Sequence, residues 1–133
     1  MSLKIDNALL DNLTEQAKVS PRLRMNYDLR TSADDQSQRM LNAIEPESVV
    51  PIHRHRNTSE TVVVLRGRVI EDFYDDAGVC VESVEMSPCG PVCALNIPAA
   101  QWHTIRSLES GTVILEMKDG AFEPLKPEDV MAL

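Results

Sequence analysis

The chain has 133 residues, of which 43% are hydrophobic and 26% charged, and its formal net charge is -8. This length predicts one domain with a substantial core. The acidic balance argues against a nucleic-acid partner, because a phosphate backbone calls for a basic surface. No apolar run reaches the roughly 18 residues of a membrane span, and the N-terminus lacks the basic and apolar segments of a signal peptide. We therefore expect a cytoplasmic protein without membrane contact.

The cysteines point to the same compartment. Cys80, Cys89 and Cys93 are odd in number and lack the spacing of a disulfide framework, which suits free thiols in a reducing environment. The pair Cys89 and Cys93 is compatible with a soft metal site, but small residues buried in strands are the more ordinary interpretation. We expect these two side chains to be buried.

One amphipathic helix is predicted near the N-terminus, from Asp6 to about Lys18. Apolar residues recur there with the period of a helix, and Asp6 is a suitable N-cap. Pro21 is expected to end the helix. Residues 1–20 are therefore predicted to form a helical segment that packs on the outside of a sheet or on a second subunit.

Residues 21–124 predict a body of short strands. After a polar stretch with a turn near 34–37, strand-like segments recur at regular intervals between turn residues: 39–45, 48–55, 61–65, 69–75, 79–86, 92–97, 102–107 and 112–118. Eight strands without intervening helices exclude a parallel α/β sheet and favour an all-β jelly roll or small barrel that holds a small ligand. Residues 125–133 predict a short helical turn or a loose tail, to which we assign no chemistry.

The most informative stretch contains His53, His55 and Glu60. A strand turns alternate side chains to opposite faces, so two histidines one residue apart point the same way and can bind one metal ion. A four-residue loop can return Glu60 to the pair as an oxygen ligand. His103, the remaining histidine, follows a proline turn near the start of a strand and is the fourth candidate ligand.

These residues resemble the two sequence motifs of the cupin superfamily. The first motif is represented by His53, His55, Glu60 and Gly67, and the second by Pro98, Ala100 and His103. Three positions depart from the usual pattern, and none is a ligand position. Glycine is usual at Glu47 and Ala100, and asparagine at Ser107.

Longer runs are similar to the WbuC family of small cupin metalloproteins and extend the resemblance over nearly the whole chain: 20–27, 38–43, 51–55, 64–68, 97–104 and 116–120. The resemblance implies a single-domain cupin fold, a double-stranded β-helix or jelly roll, with an N-terminal α-helix. It also implies a bound metal and an association with surface-polysaccharide gene clusters.

The donor atoms themselves favour a transition metal. Neutral imidazoles and one carboxylate suit Zn, Fe(II), Mn, Ni or Cu, whereas Ca and Mg prefer oxygen ligands throughout. Four protein ligands on an octahedral ion leave about two positions for water or substrate. The alternative is that His53 and His55 are surface residues and His103 is a core histidine, but the cupin spacing of all three favours one divalent metal cofactor.

Side chains near the predicted ion are candidates for substrate contact and proton transfer. The candidate substrate-binding residues are Arg39, Asn42, Gln101 and Tyr27, and the candidate catalytic residues are Glu116 and Lys118. Glu116 and Lys118 share one face of a strand, as an inward pair with a function or as an outward ion pair. Arg54 and Trp102 alternate away from the neighbouring ligands, which favours a core or interface role.

Three functions compete at this point. The first is a metal-dependent enzyme that acts on a sugar or small polar organic substrate of surface-polysaccharide metabolism, by isomerisation or epimerisation, or as a dioxygenase if the ion is iron. The second is a non-catalytic module that binds or senses a small molecule through its metal. The third is a metal-free sugar epimerase, which the paired histidines disfavour. A homodimer is expected in each case.

Overall fold

A computed structural model describes residues 1–132 of the chain. The helix α1 spans Asn7–Val19, and a short 3-10 helix spans Pro127–Asp129. The strands are β1 Arg24–Asp28, β2 Ser37–Ile44, β3 Glu60–Arg66, β4 Val69–Tyr74, β5 Cys80–Met86, β6 Ala94–Ile97, β7 Trp102–Ser107 and β8 Val113–Asp119. Most predicted strands are therefore observed, with ends shifted by up to two residues.

The described strands form two antiparallel sheets. The larger sheet has the order β1-β2-β8-β3-β6 and the smaller sheet the order β5-β4-β7. Apolar side chains from both sheets pack in one core, which includes Ile44, Val62, Val64, Val69, Phe73 and Ile105. The fold is thus mostly β, with the main core between the two sheets.

Helix α1 covers the outer face of the larger sheet. Leu10, Leu13 and Ala17 are buried against Leu41 and Ala43, which point away from the core between the sheets. Asp6 is the N-cap, as predicted, because its side chain accepts a hydrogen bond from the Leu9 N–H at 3.0 Å. The amphipathic pattern of this segment is therefore explained by packing on a sheet of the same chain.

The prediction of a strand at 48–55 is wrong. This segment forms isolated β-bridges at His53, to His103 and to Val130, but it belongs to neither sheet. Pro46 and Pro51 explain the difference, because proline has no N–H group for a strand ladder. The valines at 49 and 50 favour extended backbone, and the prolines prevent continuous pairing.

The expectation that Cys89 and Cys93 are buried is also wrong. All three cysteines, each within the described residues, are exposed and free. Cys80 begins β5, an edge strand whose first four residues are exposed, and Cys89 and Cys93 lie between β5 and β6. Apolar character alone did not distinguish an edge strand and a loop from a central strand.

The C-terminal segment returns to the body of the protein. Residues 121–128 are exposed, whereas Asp129 is buried and the following residue, Val130, forms a bridge to His53. Of the two alternatives expected for residues 125–133, a helical turn or a loose tail, the structure shows a turn of 3-10 helix at Pro127–Asp129, while Leu133 lies outside the described residues. Within residues 1–132, no helix combines the length and apolar character needed to cross a membrane.

Candidate metal centre

Backbone pairing brings His53 to His103, which lies on β7. The His53 N–H donates to the His103 carbonyl at 3.0 Å, and the His103 N–H donates back at 2.9 Å. The two ring centroids are 4.5 Å apart, and the His55 ring lies 5.1 Å from His53 and 5.8 Å from His103. One nitrogen of each ring lies within 4.8 Å of the other two, so the three imidazoles can hold one metal ion.

Hydrogen bonds at Nδ1 orient two of the three rings. The Nδ1 of His53 lies 2.8 Å from the Pro51 carbonyl oxygen, and the Nδ1 of His103 lies 2.7 Å from Glu71 Oε1. A carbonyl oxygen accepts only, so His53 carries its proton on Nδ1 and keeps the Nε2 lone pair. The His103 Nε2 is buried and, among residues 1–132, has no hydrogen-bond partner. The Nε2 atoms of His53 and His103 are therefore available as metal ligands.

Two of the three histidines have a lowered pKa, which favours their neutral form. Burial lowers the pKa of His53, and the same effect, with the charge of His53 as a second cause, lowers the pKa of His103 to about 3. A metal binds the deprotonated nitrogen of imidazole, so a depressed pKa favours ligation at neutral pH.

Glu60 lies beside the histidines at the first residue of β3 and is 4% exposed. Its Oε2 lies 2.9 Å from His55 Nε2 and 3.8 Å from Lys118 Nζ. Burial alone would raise the pKa of Glu60, but the hydrogen bond from His55 and the nearby positive charges outweigh burial and lower it to about 2. The ionised carboxylate can therefore add an oxygen ligand to the three nitrogens.

Glu71 is a functional residue that the sequence analysis missed. It lies on β4 between Val69 and Phe73, whose side chains face the core, and it is 2% exposed. Its register partner on β7 is Ile105, which places it diagonally next to His103. Burial, followed by neighbouring carboxylates, raises the pKa of Glu71 well above its usual value. A carboxylate at an inward position of an apolar strand was the signal in the sequence.

The predicted ligands line a cavity of about 160 Å³. Glu116, Lys118 and Asn42 line it as well, so the inward alternative for the pair on β8 is the observed one. Arg24 also lines the cavity. Burial, followed by the negative charge of Glu60, raises the pKa of Glu116 to about 7. Apart from Glu71, the rest of the wall is apolar and consists of Ile44, Val50, Val62 and Ile105.

The structure does not bring the other three candidate substrate-binding residues to this cavity. Arg39 shares the outward face of β2 with Leu41, and its guanidinium contacts Ser37 and Asp35. The face of a strand explains this position, because Arg39 and Asn42 are three residues apart and point to opposite sides.

Gln101 and Tyr27 also lie away from the histidines. The Gln101 Nε2 donates to the carbonyl oxygens of Tyr74 and Trp102, both at 3.0 Å. Tyr27 lies on the edge strand β1 and is 36% exposed. Neither side chain lines the cavity.

Arg54 and Trp102 contact each other outside the cavity. The Arg54 guanidinium lies 4.4 Å from the centre of the Trp102 ring, and the Trp102 Nε1 donates to Asp76 at 3.0 Å. Neither side chain lines the cavity, and the core or interface role expected for both residues stays a prediction.

Several solved structures have a fold similar to these two antiparallel sheets. One is KdgF from Halomonas sp., with a TM-score of 0.59 and 16% identity over 77% of this chain and 83% of that one. Another is CapF, a capsular polysaccharide assembling protein from Staphylococcus aureus, with a TM-score of 0.67 and 21% identity over 86% of this chain. A third is oxalate oxidase in complex with the substrate analogue glycolate, with a TM-score of 0.66 and 11% identity over 82% of this chain.

At such identities the likeness concerns the fold alone. This chain spans 30% of CapF and 57% of oxalate oxidase. Its own family is DUF6016, described as a domain of unknown function, to which it belongs by a match over residues 5–86. No curated protein sequence matches the chain.

Proposed function

We propose that this protein binds one divalent transition metal, Zn, Fe, Mn or Ni, through His53, His55, His103 and Glu60. The convergence of three imidazole nitrogens within 4.8 Å carries the proposal. The His103 Nε2 adds to it, because this buried atom has no partner in the described part of the chain. Leaving a buried polar atom unpaired costs about 1–3 kcal/mol, and ligation of a metal would remove that cost.

The charged side chains that line the cavity support the binding of a cation there. The carboxylates of Glu60, Glu71 and Glu116 line it, together with the cationic side chains of Arg24 and Lys118. Burial, followed by the negative charge of Glu60, raises the pKa of Glu71 and of Glu116. A divalent ion would favour the ionised forms of both carboxyls and so compensate the excess of negative charge.

We infer that the substrate is a small polar organic molecule. A volume of about 160 Å³ is below the roughly 300–1,000 Å³ typical of pockets for drug-sized ligands. The cavity therefore suits a small acid or part of a sugar rather than a whole nucleotide sugar. A second pocket of about 370 Å³ shares His55 and Lys118 with the cavity and offers room for the remainder of a larger substrate.

When bound, the metal supplies a Lewis acid that polarises a carbonyl or hydroxyl oxygen. Asn42 and Lys118 line the same cavity and can orient a polar substrate through hydrogen bonds. Glu116 can give or take a proton near neutral pH, because its pKa is about 7. These roles support an isomerase-like or epimerase-like reaction, or a dioxygenase reaction if the metal is iron.

The biological setting is part of the same proposal. The runs that resemble the WbuC family, and the similarity in fold to a capsular polysaccharide assembling protein, support a role in surface-polysaccharide metabolism. We also propose that the two sheets close as a cupin jelly roll and that the protein acts as a cytoplasmic homodimer. Light scattering of the purified protein tests the dimer directly.

Elemental analysis of protein purified without added metal tests the metal site. We expect about one transition-metal ion per chain, and we expect His53→Ala and His103→Ala to lose it while circular dichroism shows an intact fold. Asn57→Ala is the matched control, because this exposed residue lies in the loop between His55 and Glu60. The proposal fails if the protein cannot be loaded with metal, or if His103→Ala retains it.

The second candidate function is a binding module that does not turn over its ligand. Its support is that the metal ligands, Asn42 and Lys118 are sufficient to hold a small acid or sugar. Metal-loaded protein should be incubated with keto sugars and small hydroxy acids, and the products analysed by mass and stereochemistry. An enzyme changes the product pool, whereas a binder only raises the melting temperature.

A further inference from the structure

The C-terminal segment pairs with the backbone of the segment that carries the histidines. The Arg54 N–H donates to the Asp129 carbonyl at 3.0 Å, and the Met131 N–H donates to the Ile52 carbonyl at 2.8 Å. His53 lies between these two hydrogen bonds and forms a bridge to Val130. On its other side His53 pairs with β7, so its backbone is held from both directions.

The Asp129 carboxylate adds a side-chain clamp to this pairing. Its Oδ1 accepts hydrogen bonds from Arg54 Nε at 3.0 Å, Arg56 Nε at 3.1 Å and Arg56 Nη2 at 2.9 Å. Arg54 and Arg56 are the two neighbours of His55 in the chain. Asp129 is 7% exposed, although the eight residues that precede it are all exposed. The buried contacts of Asp129 are thus made with the histidine segment.

This clamp matters because the histidine segment is not part of either sheet. Residues 45–59 connect β2 to β3 without a ladder of their own, and their β-bridges are those at His53. Beyond these bridges, the His55 carbonyl accepts a hydrogen bond from the Ala100 N–H at 2.8 Å. A metal site requires its ligands to be held close to the productive geometry by surrounding contacts. A segment that carries two ligands and lacks a ladder must obtain this rigidity from its neighbours.

We propose that Asp129 is a positioning residue of the metal centre, which fixes His53 and His55 for the ion through Arg54, Arg56 and the paired backbone. The proposal rests on the metal-binding function proposed above. It assigns a role to the C-terminal segment, which sequence analysis left without chemistry. Loss of the carboxylate should weaken metal binding before it affects the core between the sheets, since its hydrogen bonds are made with Arg54 and Arg56 of the histidine segment.

The test compares full-length Asp129→Ala and Asp129→Asn with the wild type. Zn²⁺ affinity is measured by competition with a chromophoric chelator, and the ligand field is measured from the absorption spectrum of the Co²⁺-loaded protein. We expect Asp129→Ala to weaken Zn²⁺ binding by about 10–100-fold and to shift the Co²⁺ spectrum. Asp129→Asn keeps an acceptor oxygen without the charge and should lose less. Glu128→Ala, at the adjacent exposed residue, is the matched control and should bind as the wild type does.

The outcomes separate this inference from the function on which it rests. If the wild type binds no metal, the proposed function fails. If the wild type binds Zn²⁺ and Asp129→Ala matches it in affinity and Co²⁺ spectrum, the positioning role is refuted, even if the melting temperature of the metal-free variant falls. Should Asp129→Ala not fold, Arg56→Met decides, because the Arg56 side chain is 49% exposed and its loss leaves the core intact. An unchanged affinity and spectrum for Arg56→Met would then overturn the proposal.

Discussion

Glu116 should make the metal-free protein less stable as the pH rises. Its pKa is raised from an ordinary value of 4.5 to about 7, first by burial and then by the charge of Glu60. The native state therefore holds a proton that the unfolded chain releases near pH 4.5. Because the native state binds more protons in this interval, the free energy of unfolding falls between pH 4.5 and 7.

The size of this loss in the free energy of unfolding follows from the difference between the two pKa values of Glu116. At roughly 1.4 kcal/mol per pH unit, a carboxyl that titrates at about 7 instead of 4.5 accounts for about 3 kcal/mol. Glu116→Gln removes this titration with little change in shape. His103 opposes the trend, because its low pKa makes stability fall as the pH drops below its ordinary value of 6.5. That effect is present in both proteins, so it cancels in the difference between them.

The assay is urea denaturation of metal-free protein between pH 4.5 and 7.5, followed by the fluorescence of Trp102, the single tryptophan. We expect the wild type to lose about 3 kcal/mol more than Glu116→Gln over this range. Glu123→Gln, at an exposed carboxyl, should follow the wild type. Added Zn²⁺ should reduce the difference, since a nearby cation lowers the pKa of Glu116. Parallel pH profiles for wild type and Glu116→Gln in metal-free protein would refute the reasoning.

Three further changes test the fold and the site. Glu71→Gln should weaken Zn²⁺ binding by about 10–100-fold in a chelator competition, because the amide can donate to the imidazole that the carboxylate orients. Gly67→Ala should lower the free energy of unfolding by about 2–5 kcal/mol in urea, because Gly67 has a φ of +89° and a Cβ would lie 2.6 Å from the Thr112 Cα. Leu13→Ala should lower the free energy of unfolding by about 2–5 kcal/mol in the same assay, since Leu13 is 2% exposed on the face of α1 that packs on the sheet.

The two changes that test stability each have a control. Gly111 has the same φ of +89°, but a Cβ there meets no described atom within 4 Å, so Gly111→Ala should cost about 1–2 kcal/mol. Equal losses at Gly67 and Gly111 would contradict the steric explanation. Leu3→Ala, at a residue 56% exposed, should leave stability nearly unchanged. A Glu71→Gln variant with wild-type Zn²⁺ affinity would show that the His103 Nδ1 does not need a carboxylate partner for metal binding.

Local patterns in the sequence predicted a large part of this molecule. The helix and its Asp6 cap were predicted from residues close together in the chain, as were most of the strands. Alternation within a strand also explains why Glu116 and Lys118 point the same way, and why Arg39 and Asn42 do not. The spacing of the three histidines predicted their convergence, which the structure shows. Such features depend on the period of a helix or strand.

Pairing between distant segments could not be derived in this way. The pattern at 48–55 favours extended backbone, but its partners are β7 and a C-terminal segment more than seventy residues away. Exposure of the cysteines likewise depends on which strand lies at the edge of a sheet. Strand propensity describes one segment and is silent about its neighbours.

By itself the sequence determined which side chains can ligate a metal and, for residues on the observed strands, which face of the strand each side chain occupies. Only the tertiary structure decided that Glu71 meets His103 and that Asp129 holds the arginines beside His55. The first contact requires β4 to lie next to β7, and the second requires the chain end to return to the histidine segment. The physical reason is that the period of a strand sets the direction of a side chain, whereas its partner is set by the packing of segments far apart in the chain.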